Sequence, residues 1–236
     1  MKKTIFVLVT LALLSSCNKE DAKSNLHILG NIKGLKKGTL YLQRIVDTTL
    51  VPLDTINIDG NASFESHINL ESPEMLYLFL DRGVSNSLDN NLSFFAEPGN
   101  MTIDTSLDNY LLDAKVTGSK NNTIFEEYKL IKTRFNEENL ELIQNKFNAI
   151  KSQNTKKIDS INAKQDSNLK RRYLFATNFA LNNRDYEVAP YIALSEIYDI
   201  NIKYLDTIQK AMSPKVAQSL YGKKLVKYVS SLKKQE

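Results

Sequence analysis

Few residues in this sequence have side chains suited to demanding chemistry. There is one cysteine, Cys17, among 236 residues. A thiolate is a strong nucleophile and a soft metal ligand, but a lone cysteine can form neither an internal disulfide nor a Cys-X-X-Cys redox pair. His27 and His67 are the only histidines, so a zinc site would have to be completed by carboxylates. Asp54, Asp59, Glu97 and Asp104 fall near turns and strand ends, where carboxylate pairs could act as acid and base or bind calcium. Their spacing matches no calcium loop, and turn formation explains them more simply. Tyr128, Tyr173, Tyr186, Tyr191, Tyr198 and Tyr204 could line a groove that stacks sugars or peptides, or could form the packing face between helices. Lys170-Arg171-Arg172 offers either a site for an acidic partner or lipid headgroups, or a solvated helix face. No serine has a Gly-X-Ser-X-Gly setting, and no Gly-rich phosphate loop is present. This reading assigns no catalytic residue, no metal and no cofactor, and leaves the ligand-binding residues unknown.

The setting of Cys17 gives it another use. Lys2 and Lys3 precede an uncharged apolar run, Thr4 to Leu14. That run is about half of the roughly 20 residues a helix needs to cross a bilayer, and so reads as a secretory signal rather than a span. It ends Leu14-Ser15-Ser16-Cys17, which resembles the lipobox of bacterial lipoproteins. The resemblance implies that residues 1–16 are a lipoprotein signal peptide and that Cys17 is the lipid attachment point. Residues 17–24 would then be a lipidated tether. Several acyl chains on one residue hold a protein stably at a membrane, where a single chain does not. Asn18-Lys19-Glu20-Asp21 is similar to the surface-export signal of Bacteroidota lipoproteins, or is a solvated tether.

Composition indicates a globular body: hydrophobic residues are 42% and charged residues 25% of the chain. The formal charge of +4 conceals an asymmetry, since residues 18–118 carry 8 Lys/Arg against 14 Asp/Glu while residues 119–236 carry 21 against 13. A sign change along the chain suggests two differently built regions, and a basic half could lie near an anionic surface. Nucleic acid is not expected as a partner of an exported, lipid-anchored protein.

The hydrophobic pattern divides at the same place. From residue 25 to 118 it alternates, as in Gly38-Thr39-Leu40-Tyr41-Leu42-Gln43, and predicts seven or eight short strands. The alternation slips after Leu53, which suggests a bulge. Asp59-Gly60 predicts a hairpin turn into Ala62–Ile68. Gly34–Gly38 and Pro98-Gly99 predict further turns, and the two-sided apolar run Met75–Leu80 predicts a central strand. From Ser119 to Ala189 there is neither glycine nor proline. Ser119 is a candidate N-cap. Phe125, Tyr128, Ile131 and Phe135, continued by Leu142, Ile143, Phe147 and Ile150, predict an amphipathic helix. The polar stretch from Ile150 to Asn168 predicts the tip of a helical hairpin or a long helix bent near Gln153-Asn154. Further helices are predicted at Pro190–Tyr198, near Ile202–Ala211, and from Ser213-Pro214 to about Leu232. The expected fold class is therefore α+β: an N-terminal antiparallel β-sandwich or open barrel (25–118) followed by an all-helical domain (119–236) with a long helical hairpin.

The chain resembles bacterial lipoproteins with the N-terminal domain of unknown function 4369 (DUF4369). The matching residues are Ile28–Ile32 with Gly34 and Gly38, Thr39–Leu42, Pro52-Leu53-Asp54, Asp59–Phe64, Phe94-Phe95-Ala96-Glu97-Pro98-Gly99, and Thr117-Gly118-Ser119-Lys120-Asn121. Asn183–Tyr191 and Ser219–Leu225 resemble that family's middle region. In many members a thioredoxin-like, thiol:disulfide interchange domain with a Cys-X-X-Cys motif follows. Here the sequence ends at Lys234-Gln235-Glu236 without that motif, so the resemblance implies the non-catalytic N-terminal part and carries over no catalytic residue. The expected function is a non-enzymatic interaction or scaffold module in the cell envelope. It would be anchored to the outer membrane on its periplasmic or cell-surface face, with an envelope protein, such as a thioredoxin-like redox enzyme, as partner. The alternative is a module binding a sugar, peptide or lipid in a cleft between the domains.

Overall fold

A computed structural model describes residues 24–83 and 87–234, and Cys17 with its signal and tether residues lies outside them. The protein is α+β. Among the described residues eight strands come first: β1 (Leu26–Lys33), β2 (Lys37–Val46), β3 (Thr49–Asp59), β4 (Ser63–Ile68), β5 (Glu74–Asp81), β6 (Asn91–Ala96), β7 (Gly99–Ser106) and β8 (Lys115–Thr117). They form two four-stranded sheets, ordered β4-β1-β7-β8 and β3-β2-β5-β6.

Alternation builds the layer between the sheets. Leu26, Ile28 and Ile32 of β1, Phe64 and Ile68 of β4, and Met101 and Ile103 of β7 are buried against Leu40 and Leu42 of β2, Ile58 of β3, Leu76, Leu78 and Leu80 of β5, and Phe94 of β6. Gly30 interrupts the apolar row of β1 because Phe64 occupies the space of a side chain, its ring lying 2.3 Å from where a Cβ would be. Leu42 pairs with Asp54 and Gln43 with Pro52, so Leu53 is the extra residue of a β-bulge, where the alternation slips.

The connections differ from those expected. Asp59-Gly60 does not close a hairpin, because β3 and β4 belong to different sheets. The turn reverses the chain at Gly60 (φ +87°), but local turn chemistry does not determine which edge the emerging strand pairs with. β4 pairs with β1 instead, and a hydrogen bond from Ser66 Oγ to Asp54 Oδ2 (2.5 Å) ties the two layers at that corner. The segments at Gly34–Gly38 and Pro98-Gly99 likewise pass between sheets. A tight hairpin instead joins β2 and β3 at Asp47-Thr48, where Asp47 has φ +56°. The sheets are not purely antiparallel: β1 and β7 pair in parallel from Leu26↔Gly99 to Lys33↔Ser106.

Among the described residues six helices follow: α1 (Lys120–Lys151), α2 (Thr155–Asn182), α3 (Val188–Glu196), α4 (Ile202–Ala211), α5 (Pro214–Ala217) and α6 (Leu220–Lys233). α1 and α2 form a true hairpin rather than one bent helix. Gln153 takes a left-handed conformation (φ +53°), and Asn154 caps α2 by accepting from Lys157 N at 3.0 Å. The single last helix expected from Pro214 is two. Val216 O lies 2.0 Å from where a Cβ on Gly222 would be, and Ser219 Oγ restarts the helix by accepting from Gly222 N.

The helical core holds Ile124, Phe125 and Tyr128 of α1, Ala176 and Ala180 of α2, Ile192 of α3, Leu205 and Ile208 of α4, and Leu225 and Val229 of α6. Met75 of β5 and Phe95 of β6, paired across their ladder, project from the outer face of the second sheet into this same core. A fully buried phenylalanine contributes about 2–3 kcal/mol, so the two regions are bound by a shared apolar layer. This explains the two-sided apolar run of β5, a central strand between β2 and β6. Far along the hairpin lies a separate small cluster of Leu142, Ala149 and Ile161.

Candidate functional site

Two structural features bear on function: the junction between sandwich and helices, and the outer part of the α1–α2 hairpin.

At the junction, Ser119 Oγ caps α1 by accepting from Asn122 N at 2.9 Å. Glu97, just beyond β6, supplies a second cap. Its Oε1 accepts from Lys120 N (2.7 Å), and its Oε2 from Asn121 N (3.2 Å) and Asn121 Nδ2 (2.8 Å). A carboxylate there also meets the positive end of the helix dipole. The Asn122 Oδ1 accepts from Phe95 N at 2.9 Å, satisfying an N–H on the edge strand β6. Asn121 then reaches across to α3, where its Nδ2 donates to Glu187 Oε2 (3.0 Å) and its Oδ1 accepts from Val188 N (2.9 Å). Glu187 is only 2% exposed, and Lys215 Nζ lies 3.4 Å from its other oxygen. A half-open cavity of about 510 Å³ lies over this network, with Glu71, Glu97, Lys120, Tyr186, Glu187 and Lys215 on its wall.

A neighbouring cavity of about 440 Å³ is lined by Tyr77, Tyr191 and Tyr221 together with Met75, Leu194 and Glu74. Tyr191 meets Phe95, Phe125 and Tyr221 edge-on, with ring centroids 5.0–5.8 Å apart across the cluster. Met75 N donates to the Tyr221 hydroxyl oxygen at 3.0 Å. Burial pushes the Tyr77, Tyr191 and Tyr221 phenols above their usual range. Glu74 pairs with Arg44 at 3.0 Å. Burial raises its pKa, and the Arg44 charge opposes that rise.

The hairpin carries the second feature. Leu140, Ile143, Phe147 and Ile150 of α1 are 67%, 49%, 57% and 54% exposed. Their spacing of three, four and three residues places them on one helix face. Leu142 and Ala149, which pack on α2, lie on a different face. The sequence merged the two rows into one packing stripe; the structure buries only one of them. Two interleaved seven-residue repeats, 135-142-149 and 140-147 with 143-150, were the available signal.

The other predicted residues do not converge. Asp54 bonds Ser66, Asp59 lies at the arch, and Asp104 is exposed on the outer face of β7. His27 and His67 stand directly opposite on β1 and β4 with Nδ1 atoms 2.5 Å apart, and His67 Nε2 lies 2.7 Å from Glu65. Among the described residues no group of three or more His, Cys, Asp or Glu is placed to hold a metal ion. Of the six tyrosines considered, Tyr128 is buried in the helical core, Tyr173 donates to Asp199 at 2.7 Å, Tyr186 borders the polar cavity, and Tyr198 and Tyr204 are exposed. Only Tyr191 lines the aromatic cavity, whose other tyrosines, Tyr77 and Tyr221, the sequence did not single out. Arg171 pairs with Glu138 at 2.6 Å over the Phe135 ring, on a solvated face. Among the described residues no helix is long and apolar enough to cross a membrane.

Residues 26–125 match the family described as a domain of unknown function, DUF4369. The DUF4369 match covers all eight strands and runs into the start of α1, so it includes Glu97, Ser119, Asn121 and Asn122 but not their partner Glu187. No curated protein and no solved structure matches the chain.

Proposed function

We propose that this chain is a lipid-anchored protein of the cell envelope that acts by binding, as an interaction or scaffold module without catalytic chemistry of its own. The observation that carries the binding half is the exposed row Leu140–Ile143–Phe147–Ile150. Apolar side chains exposed together along one face are a common mark of an interaction site, and this row stands on a hairpin held by the junction network. The anchoring half rests on Leu14-Ser15-Ser16-Cys17. Acylation of Cys17 places the protein at the outer membrane, on its periplasmic or cell-surface face, where an envelope protein such as a thioredoxin-like redox enzyme is a fitting partner. Mass spectrometry of the native N-terminal peptide tests the anchor. The expected product begins at an acylated Cys17, and Cys17→Ala releases the protein from the membrane fraction. A free Cys17 thiol on an uncleaved chain would refute it.

A second reading is favoured by the 440 Å³ cavity. Its tyrosine rings and Glu74 suit a ligand with an apolar or sugar face and a hydrogen-bonding group. A thermal-shift screen of sugars, peptides and lipids tests it, with Tyr191→Ala expected to abolish any stabilisation seen.

A further inference from the structure

The exposed row on α1 has the spacing of a helix-packing seam. Leu140, Ile143, Phe147 and Ile150 follow the three-four spacing of a coiled-coil seam over its whole length. One flank of that seam is formed by positions 137, 144 and 151, spaced seven apart: Glu137, Gln144 and Lys151. The acid lies seven residues before Gln144 and the base seven after it. Lys151 Nζ already lies over the Phe147 ring, 4.3 Å from its centroid, beside the seam. The other flank is occupied within the molecule: Lys146 Nζ and Asn139 Oδ1 both engage Gln165 of α2, at 3.4 and 3.5 Å. A partner helix therefore has one open approach, along the row itself.

We infer that this row is the docking site for a second copy of the chain, with two α1 helices packed antiparallel about a two-fold axis near Gln144. In that arrangement Leu140 faces Ile150 of the second copy, and Ile143 faces Phe147. Glu137 faces Lys151 at both ends, and the two Gln144 side chains meet at the centre. An isologous interface requires one patch to complement itself under two-fold rotation. Opposite charges placed on either side of the apolar row, centred one residue from its midpoint, meet that requirement, whereas a seam flanked by one sign of charge would select a different partner. This inference rests on the reading of the hairpin as an interaction surface and names its occupant.

The test uses the full chain in native membranes. Gln144→Cys places a thiol at the two-fold axis, and the unmodified chain, with Cys17 as its sole cysteine, is the control. Mild oxidation is expected to give a disulfide-linked dimer of the Gln144→Cys chain and none of the control. Adding Phe147→Glu, at a surface position, should reduce the yield by about tenfold. Glu137→Lys and Lys151→Glu should each weaken cross-linking, and the two together should restore it. Absence of the disulfide, or failure of the double reversal to restore it, would overturn the inference. If the row instead captured a different envelope protein without the disulfide, the second copy would be refuted while the broader reading of the hairpin stood.

Discussion

The side-chain amide of Asn121 donates to the Glu187 carboxylate at 3.0 Å, joining the first turn of α1 to the start of α3 across 66 residues of sequence. The same amide reaches Glu97 at the end of the sandwich. One residue thus fixes three elements, and the hairpin that begins at Lys120 inherits a defined direction from the sheet.

Replacing Asn121 should consequently be costly. Asn121→Ala leaves the Val188 N–H without its partner and the buried Glu187 carboxylate with Lys215 alone among its described side-chain contacts. The expected loss is about 2–4 kcal/mol, or roughly 5–12 °C in Tm for a chain of this size. Urea and thermal unfolding measure it, and a loss below about 1 kcal/mol would show that the junction does not depend on this residue.

Gly118 precedes the cap of α1 at φ +86°, and a Cβ there would lie 2.1 Å from Asn100 O. Gly60 has φ +87° with nothing within 4 Å of the same position. Gly60→Ala should cost about 1–2 kcal/mol, the conformational penalty alone. Gly118→Ala adds a backbone collision and should cost at least about 2 kcal/mol more. Equal losses in paired denaturant titrations would contradict that close approach.

Alkaline pH should unfold the protein through its tyrosines. Burial raises the pKa of Tyr110, Tyr128, Tyr191 and Tyr221 above the usual value of 10.0. The folded phenols keep their protons where the unfolded ones lose them, so this stability is complete below about pH 10 and falls as pH rises further. Each such tyrosine steepens the fall by up to about 1.4 kcal/mol per pH unit. Phenolate absorbance should therefore show a class that ionises only with unfolding, and Tyr191→Phe should remove one proton from that step. Free titration of all tyrosines in the folded protein would contradict it.

Local opening should concentrate in the outer hairpin, where among the described residues the buried apolar core shrinks to Leu142, Ala149 and Ile161. With the row left undocked by Phe147→Glu, amides from about 144 to 165 should exchange hydrogen faster than those of α1 and α2 beside Tyr128 and Ala176. Uniform protection along both helices would contradict this.

Strand positions were legible in the sequence because one buried face imposes period two, and even the bulge at Leu53 left its mark as a slip in that alternation. Sheet membership was not legible. Asp59-Gly60 encodes a reversal of direction, but whether β4 joins β3 or β1 depends on partners far away in sequence, and the parallel contact of β1 with β7 spans some 70 residues. Ser119 announced its helix by local chemistry, as caps do. The network of Glu97 with Asn121 and Glu187 could not be read, since nothing in the spacing of 97, 121 and 187 implies proximity. The exposed row on α1 was hidden for a different reason: Ile143 follows Leu142 directly, so a buried and an exposed repeat overlap and look like one broad face.

The central claim is that the hairpin acts as a binding surface in the envelope. The most direct measurement places a photo-crosslinking amino acid at Phe147 of the full chain in intact cells, with a control at Asp104 on the outer face of the sandwich. The account expects a discrete crosslinked species from position 147 that is absent from position 104. Crosslinks equally sparse at both positions would contradict it.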